Sequence, residues 1–447
     1  MIVVLSQGCA ANFGDGEKIA RILSQKSEVT FEFPEAKPEA FYLNVCTVKG
    51  NAGAMKLLRK AASTFPGVPI YITGCAPKDF REEALRTVPH VQFTSLKELE
   101  DSAALPPQPA QSPSSQTSAR TPGSNKIYRN VLRESPFVGI VNIEEGCLDA
   151  CAFCSTHLVK GRLHSFAPQT IVDQVQALVD DGCLEIQLTG QDCACYGFDI
   201  GTNLAELTQR ILTHVNGNYR IRLGMGNPRH VLGYQEALLD CFTDDRIYKF
   251  IHIPVQSGSE NVLKAMNRRH TARDYATLAH AFTERFRKFT LSTDLIVGYP
   301  GETDADFNDT LKLLKETRPT VCNITRFVAR PGTVAARLET SKPTHPESAK
   351  KSAHLAPAPL AVPDDIKHER SAILAEAFQK IAIENNREWI GDECTVVTEK
   401  PGYRAGTTIA RNEAYRPVAL QGTFPAGQTL RVRITDAEPF ALIAKPL

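Results

Sequence analysis

Between Gly139 and Val328 the sequence alternates short β-like runs with segments of helical apolar spacing, and this rhythm restricts the fold more than any other feature. The strand candidates are Gly139–Ile143, Leu184–Thr189, Tyr219–Leu223, Tyr248–Val255, Leu291–Val297 and Val321–Val328. Between them, Leu204, Leu207 and Ile211 make one apolar helical face, and Tyr275, Leu278 and Phe282 make another. Roughly six βα units in about 200 residues imply a largely parallel sheet, closed or partly closed into a barrel.

The first 95 residues carry the same alternation on a smaller scale. Ile2–Leu5, Ala40–Val45 and Pro69–Thr73 are candidate strands, each followed closely by one of Cys9, Cys46 and Cys75, while Lys18–Leu23 and Ala54–Ala62 have helix-like spacing. In an open α/β sheet the loops beyond the carboxyl ends of strands form the site, so three such cysteines can meet in space. A polar Pro/Ser/Ala-rich stretch from Asp101 then breaks the periodicity and reads as a linker. A second breaker-rich stretch holds five prolines between Pro343 and Pro363, and helical pattern resumes at Asp364–Asn385. The short runs Cys394–Thr398, Thr408–Ala410, Arg416–Leu420, Thr429–Ile434 and Phe440–Ala444 read as a small β-barrel. The expected division is an N-terminal open α/β domain (1–100), a Pro/Ser-rich linker (101–127), a central partial (β/α) barrel (128–340), a Pro-rich insertion (341–363), a connecting helix (364–386) and the small β-barrel (387–447).

Composition excludes some classes of function. The 51 Lys+Arg against 50 Asp+Glu lack the basic excess of a non-specific nucleic-acid binder, so an RNA partner needs local support. No apolar run approaches the roughly 18 residues of a membrane span, and the N-terminus reads as a first strand rather than a signal peptide, so a cytoplasmic protein without a membrane partner is expected. Twelve cysteines in 447 residues then argue for metal or redox chemistry over a disulfide framework. Cys183, Cys241, Cys322 and Cys394 sit singly in apolar surroundings, where thiols pack as small hydrophobes.

The segment EEGCLDACAFCSTH places Cys147, Cys151 and Cys154 in a C-x3-C-x2-C array directly after a strand candidate. Three thiolates on one short loop can ligate three irons of a cubane cluster and leave the fourth iron open. An open iron can chelate the amino and carboxylate groups of S-adenosylmethionine, whose reductive cleavage yields a carbon-centred radical. Zinc is the competing metal: a structural site asks for four ligands, and His157 can supply one. Phe153 reads either as a packing residue or as a wall beside the cofactor's adenine.

Further segments stand out: SQGCAANFGDGE near the start, NVCTVK at 44–49, TGCAP at 73–77, LTGQDCACYG at 188–197, PVQSGSENVLKAMNR at 254–268, TDLIVGYPGET at 293–303, RPGT at 330–333 and ARNEAYRPV at 410–418. With them and the cysteine array, the chain resembles the methylthiotransferase family of radical-SAM enzymes over nearly its full length. The resemblance implies an N-terminal domain with a second cluster, a radical-SAM barrel and a C-terminal TRAM-like domain. It implies two [4Fe–4S] clusters, one on Cys147, Cys151 and Cys154 and one on Cys9, Cys46 and Cys75, with S-adenosylmethionine as the other cofactor. Asn12 and Asn44 match family positions near the second cluster, and the local alternative for each is an Asx side chain closing its own loop.

In the barrel the resemblance assigns Gly190, Gln191, Gln256, Ser257 and Asp294 to the neighbourhood of cofactor and substrate. Strand ends are where barrel sites gather, and glycine at 190 lets a backbone approach a ligand closely. The family's arginine–glycine pair after the cluster corresponds here to Lys160 and Gly161; lysine keeps the charge and loses the planar fork, and Arg162 stands close by. Cys193 and Cys195 are read as packing or loop residues.

The forms of Asn44–Lys49 and Gln191–Gly197 look most like the archaeal and eukaryotic branch. That branch converts N6-threonylcarbamoyladenosine at tRNA position 37 to its 2-methylthio derivative, with an electron donor and a sulfur source as further partners. Lys160, Arg162 and Arg330 are candidates for contact with the substrate's carboxylate, and Arg411, Arg416, Arg431 and Arg433 for contact with RNA phosphates, with Arg404 beside them. Arg431 and Arg433 share a face by strand alternation. The alternatives are a ribosomal-protein aspartate methylthiotransferase of the same family and a non-enzymatic iron–sulfur RNA-binding protein.

Overall fold

The computed structural model describes residues 1–46, 51–102, 132–340 and 361–447. Most of the expected linker 101–127, most of the expected insertion 341–363, and Thr47, Val48 and Lys49 of NVCTVK lie outside the described residues. The chain forms two compact units, one of residues 1–147, 155–191 and 210–219, the other of residues 148–154, 192–209 and 220–447.

The first unit opens with β1 (Ile2–Ser6), α1 (Ala10–Leu23), β2 (Val29–Thr30), β3 (Ala40–Cys46), α2 (Ala52–Thr64), β4 (Ile70–Cys75), α3 (Lys78–Thr87), β5 (Gln92–Phe93) and α4 (Leu96–Ser102). Its strands make one all-parallel sheet in the order β2-β1-β3-β4-β5. Alternation along β1 sends Val3 to one face and Ile2 and Val4 to the other. Val3 joins Phe41, Leu43, Ile70 and Ile72 under Met55 and Leu58 of α2 and Phe80 of α3. Ile2 and Val4 join Ile19, Ile22 and Leu23 of α1 and Leu96 and Leu99 of α4. Each of these fully buried aliphatic side chains contributes about 1.5–3 kcal/mol, so the two clusters fix both helix layers.

Helix α1 starts earlier than Lys18, where the apolar spacing begins, because its first turns bury polar residues: Asn12, Asp15, Glu17 and Lys18 are all buried. A periodicity test looks for apolar residues and passes over such turns. The unit continues through β6 (Val138–Asn142), β7 (Glu144–Glu145), α5 (Thr156–Lys160), β8 (His164–Ser165), α6 (Pro168–Asp180) and β9 (Glu185–Thr189), with β6 and β9 parallel.

Beyond β9 come α7 (Leu204–His214), β10 (Arg220–Leu223), α8 (Pro228–Val231) and α9 (Gln235–Cys241). The second unit then holds β11 (Phe250–His252), α10 (Glu260–Ala265), α11 (Ala272–Arg285), β12 (Thr290–Val297), α12 (Asp304–Thr317), β13 (Val321–Arg326) and α13 (Val334–Thr340). Its strands β11, β12 and β13 are parallel neighbours. Thr303 and Asp306 form a capping box, so the Gly298–Thr303 loop ends by starting α12. Helix α14 (Asp364–Arg387) leads into β14 (Glu393–Pro401), β15 (Thr407–Asn412), β16 (Pro417–Gln421), β17 (Thr429–Glu438) and β18 (Ala441–Pro446), which close into a barrel over Trp389, Val396, Val418, Leu420, Val432 and Leu442. Among the described residues no helix is long and apolar enough to cross a membrane.

Glu17 gives this fold a pH dependence. Burial pushes its carboxyl up to about 8, against the Glu134 N–H at 3.2 Å and the charges of Arg133 and Lys18; the neighbouring Glu134 carboxylate adds to the rise. A carboxyl raised in the fold contributes its full stability below the ordinary value of 4.5 and loses it as pH climbs toward about 8. Glu17→Gln should therefore flatten the stability profile between those limits and stabilise the protein at pH 8 by up to about 4 kcal/mol, at about 1.4 kcal/mol per pKa unit. Denaturant unfolding across pH measures this, and an unchanged slope would assign the dependence to other groups.

Candidate metal centres

Parallel strands end on the same edge of their sheet, and this brings the N-terminal cysteines together. Cys46 and Cys75 are register partners at the ends of β3 and β4, and Cys9 follows β1 as the N-cap residue of α1. The Cys46 thiol is hydrogen-bonded to that of Cys9, which together with burial holds Cys9 well above its ordinary value. Burial pushes Cys75 up to about 11, with the Lys160 ammonium opposing the shift and Cys9 adding to it. Glycine permits this crowding: a Cβ on Gly8 (φ +111) would stand 2.2 Å from the Cys46 Cβ, and one on Gly74 (φ +83) 2.4 Å from Asn44 Oδ1.

Asn12 and Asn44 do more than close their own loops. Asn12 Nδ2 donates to Gln7 O at 2.6 Å and to Asn44 O at 3.0 Å, while Asn44 Nδ2 donates back to Asn12 O. The pair ties the turn after β1 to the end of β3. Three thiols at one sheet edge cannot all ionise unaided. A multivalent cationic centre with soft-ligand preference removes that penalty, so the donor set fits an iron–sulfur cluster.

In the same unit, Cys147 ends a tightly determined loop. Gln191 Oε1 accepts the Gly146 N–H at 2.7 Å, and Gly161 O accepts the Cys147 N–H at 3.3 Å. Gly146 has φ +83, and a Cβ there would stand 2.0 Å from Arg162 O. Gly190 makes room for a neighbouring side chain: its Cβ would meet Glu144 Oε1 at 1.8 Å. Lys160 lies 3.1 Å from Asp15 and 3.3 Å from Glu145. Burial opposes its charge, but the two carboxylates outweigh burial and hold the ammonium protonated. Lys160 is thus engaged with Asp15 and Glu145, and Arg162 is exposed.

Cys151 and Cys154 belong to the segment 148–154 of the second unit, where Cys154 N donates to Cys151 O at 3.0 Å. Phe153 packs against the cluster of Val262, Met266, Tyr299 and Phe327. Asp294 accepts from Asn323 Nδ2 at 2.7 Å and lies 3.1 Å from His252 Nε2. Gln256 takes φ +79 and its N–H donates to Asp294 O at 2.9 Å. Ser257 is fully buried, its hydroxyl 3.2 Å from that of Thr310 on α12. Cys193 and Cys195 are buried, and the Cys195 thiol donates to Asp192 O at 3.1 Å.

The sequence reading missed a buried polar group around Asp149. Arg229 Nη1 donates to it at 2.6 Å, Asn227 Nδ2 also donates to it, and His230 Nε2 lies 3.2 Å away. Burial raises the Asp149 carboxyl, but His230, Arg229 and Arg268 outweigh it and hold the group at about 2. Asp192, 3.7 Å from His230, is raised by burial. The only local signal was Asn227 before Pro228, a helix start whose cap accepts the Arg229 N–H at 3.3 Å.

The arginines of the C-terminal barrel divide into two kinds. Arg431 and Arg433 stand exposed on one face, donating to Glu393 at 2.9 and 2.6 Å, and Arg404 donates to Glu438 at 2.9 Å. Arg411 is paired in two-pronged fashion with Glu399 and lies 4.4 Å from the Tyr415 ring centre. Arg416, also expected at the RNA, is buried, donating to Asn386 and, at 3.1 Å, to Thr320.

Comparison with known proteins agrees with this architecture. The radical SAM superfamily model matches residues 141–314, the TRAM domain model residues 383–447, and the Uncharacterized protein family UPF0004 model residues 1–95. The chain is similar to the probable threonylcarbamoyladenosine tRNA methylthiotransferase of Pyrococcus horikoshii, with 32% identity over 94% of this chain and 93% of that one. The Archaeoglobus fulgidus protein of the same name is 39% identical over 68% of this chain and 66% of that one. The Xenopus laevis threonylcarbamoyladenosine tRNA methylthiotransferase is 32% identical, covering 100% of this chain and 77% of that one. Among solved structures, the radical S-adenosylmethionine methyltransferase TsrM of Kitasatospora setae shares the fold, with a TM-score of 0.51 at 13% identity over 77% of this chain and 76% of that one.

Fold and matching family models thus define a radical-SAM enzyme, whose cofactor system is an iron–sulfur cluster with S-adenosylmethionine. More narrowly, the chain is a radical-SAM methylthiotransferase and belongs to the threonylcarbamoyladenosine tRNA methylthiotransferase family.

Two glycines near Cys147 separate strain from collision. A Cβ on Gly161 (φ +74) meets nothing within 4 Å, whereas one on Gly146 meets backbone. Gly161 has ψ −152, backbone that is essentially reserved for glycine, so Gly161→Ala should cost about 1–3 kcal/mol by strain alone, and Gly146→Ala clearly more in denaturant unfolding because collision is added. Equal losses would show that the loop relaxes around position 146.

Proposed function

We propose that the chain installs a methylthio group at C2 of N6-threonylcarbamoyladenosine at position 37 of tRNA, using S-adenosylmethionine as radical source and as methyl donor. The observation that carries this reading is the near full-length similarity to proteins bearing that name. Cys147, Cys151 and Cys154 would hold one [4Fe–4S] cluster and Cys9, Cys46 and Cys75 a second, which makes these six the catalytic ligands. When bound, this system supplies reductive cleavage of S-adenosylmethionine and delivery of sulfur. An electron donor and a sulfur source complete the reaction in the cytoplasm.

The protein's own groups hold the ligands in place. Gln191 fixes the Gly146 peptide, and with it the approach to Cys147. Lys160 sets a buried positive charge beside Cys75. Phe153, Gly190, Gln256 and Asp294 border the cofactor and substrate in this reading. Arg431 and Arg433, exposed on one barrel face, offer donors to RNA phosphates once Glu393 is displaced, and Arg411 at the same barrel braces Tyr415. In domain terms, 1–100 carries the second cluster, 128–340 the radical chemistry, 364–386 connects, and 387–447 binds RNA; 101–127 and 341–363 separate them.

Two outcomes test this. Replacing Cys147, Cys151 and Cys154 with alanine should remove about four of eight irons and abolish S-adenosylmethionine cleavage, whereas replacing Cys9, Cys46 and Cys75 should spare cleavage and stop product formation. Full iron content in the first variant would sink the ligand assignment. Second, reconstituted enzyme should prefer threonylcarbamoyladenosine tRNA over isopentenyladenosine tRNA by about 100-fold or more. An isopentenyl group would leave the cation that pairs with the carboxylate desolvated and unpaired, at a cost of several kcal/mol, and ~1.4 kcal/mol is already tenfold. Lys160, Arg162 and Arg330 are the candidates for that carboxylate. Nucleoside analysis after separate incubations decides it; modification of the isopentenyl tRNA, or of a ribosomal protein alone, would overturn the substrate.

A further inference from the structure

The turn Met266–Arg268 reads the loop Ala150–Ala152 residue by residue, all within the second unit. Met266 O accepts the Ala152 N–H at 2.9 Å, and Asn267 Nδ2 donates to Ala150 O at 2.8 Å. Between these two contacts, Arg268 Nη1 donates to Cys151 Sγ at 3.5 Å. Asn267 takes the left-handed conformation, φ +56, which asparagine tolerates better than most residues and which turns the chain toward the loop. Arg268 is held at both ends: its guanidinium Nη2 donates to Pro254 O at 2.7 Å, and its backbone N–H donates to Leu263 O at 2.8 Å. On the other side of the loop, Ala335 N donates to Ala152 O at 2.8 Å. A backbone so fully specified around one cysteine is more than packing requires, and among the described residues the side-chain donor aimed at that sulfur is a fixed cation.

Resting on the assignment of Cys151 as a cluster ligand, we propose that Arg268 is a positioning residue of the radical-SAM centre, fixing the Cys151 sulfur through its N–H···S bond and raising the reduction potential there. A hydrogen bond from a cationic donor to a coordinated thiolate favours the more electron-rich state, so its loss moves the potential downward. Arginine suits the role because one planar fork reaches Cys151 and Pro254 O together; lysine has the charge without the fork. Asp149 and Asp192 are the nearby carboxylates, and Asp149 is already engaged by Arg229, Asn227 and His230.

The test uses the full chain reconstituted anaerobically, with Arg268→Met, Arg268→Lys and Asn267→Gly beside the wild type. Iron per chain, EPR-monitored redox titration and S-adenosylmethionine cleavage are read for each. Arg268→Met should keep wild-type iron, shift one centre's midpoint to lower potential and slow cleavage by about tenfold, with KM for S-adenosylmethionine little changed. Arg268→Lys should recover part of the shift, and Asn267→Gly, which keeps the left-handed turn, should shift it less than Arg268→Met. An unchanged midpoint in Arg268→Met overturns the proposal whatever the activity does. So does iron loss in Arg268→Met that Arg268→Lys does not repair, since that marks a purely structural residue. Cys151→Ala serves as the separate control: full iron and an unaltered EPR signal in that variant would sink the ligand assignment itself.

Discussion

The parallel register of β3 and β4, which sets Cys46 beside Cys75, is the constraint on which the N-terminal site depends. Because β1 runs in the same direction, its end delivers Cys9 to the same edge. Hydrophobic layers on both faces hold that register, since a slip of one residue would exchange Val3 with Ile2 and Val4 and set each in the layer built around the other. The chemistry at the edge is therefore fixed by side chains that never touch it. The reciprocal Asn12–Asn44 bonds then lock the last residues of the strands, where ladder pairing gives out.

Much of the architecture was legible in the sequence because it rests on periodicity. The parallel strands of both units and the closed C-terminal barrel fall close to their expected runs. Departures occur where a local rule meets a nonlocal partner. Helix α1 begins before its apolar spacing because buried Asn12, Asp15 and Glu17 find partners elsewhere in the first unit. The run Tyr248–Val255 shortens to Phe250–His252, as Pro254 has no N–H to give and Gln256 turns to positive φ.

At the candidate sites, residue types were legible and partnerships were not. Arg411 and Arg416 look alike in ARNEAYRPV, yet one is paired with Glu399 and the other is buried against Asn386 and Thr320. Nothing at short range separates them: Arg411 lies on β15, Arg416 lies in the connection before β16, and Thr320 is far away in sequence. The motif joins the barrel to β11 and α14 within the second unit, with Glu413 O accepting the Lys249 N–H at 2.9 Å and the Tyr415 ring set edge-on to Tyr248 and tilted against Phe250. A motif that reads as RNA recognition thus also sets where the barrel stands relative to β11.

Lys160 and Arg268 show why charge type matters at such sites. Each puts a cation near a cysteine, Lys160 beside Cys75 and Arg268 on Cys151, and each is accompanied by carboxylates. At Lys160 the two carboxylates sit on the ammonium itself, so the group acts as a compact charge that balances Asp15 and Glu145, and a planar fork would bring no added geometry. At Arg268 the donors are divided between a sulfur and a carbonyl, and the nearest carboxylate is satisfied by other residues. Direction matters there as much as charge, because only an oriented N–H can polarise one sulfur. The same formal charge thus does two different things: one ammonium bridges two carboxylates beside Cys75, and an aimed donor defines the electronic surroundings of Cys151.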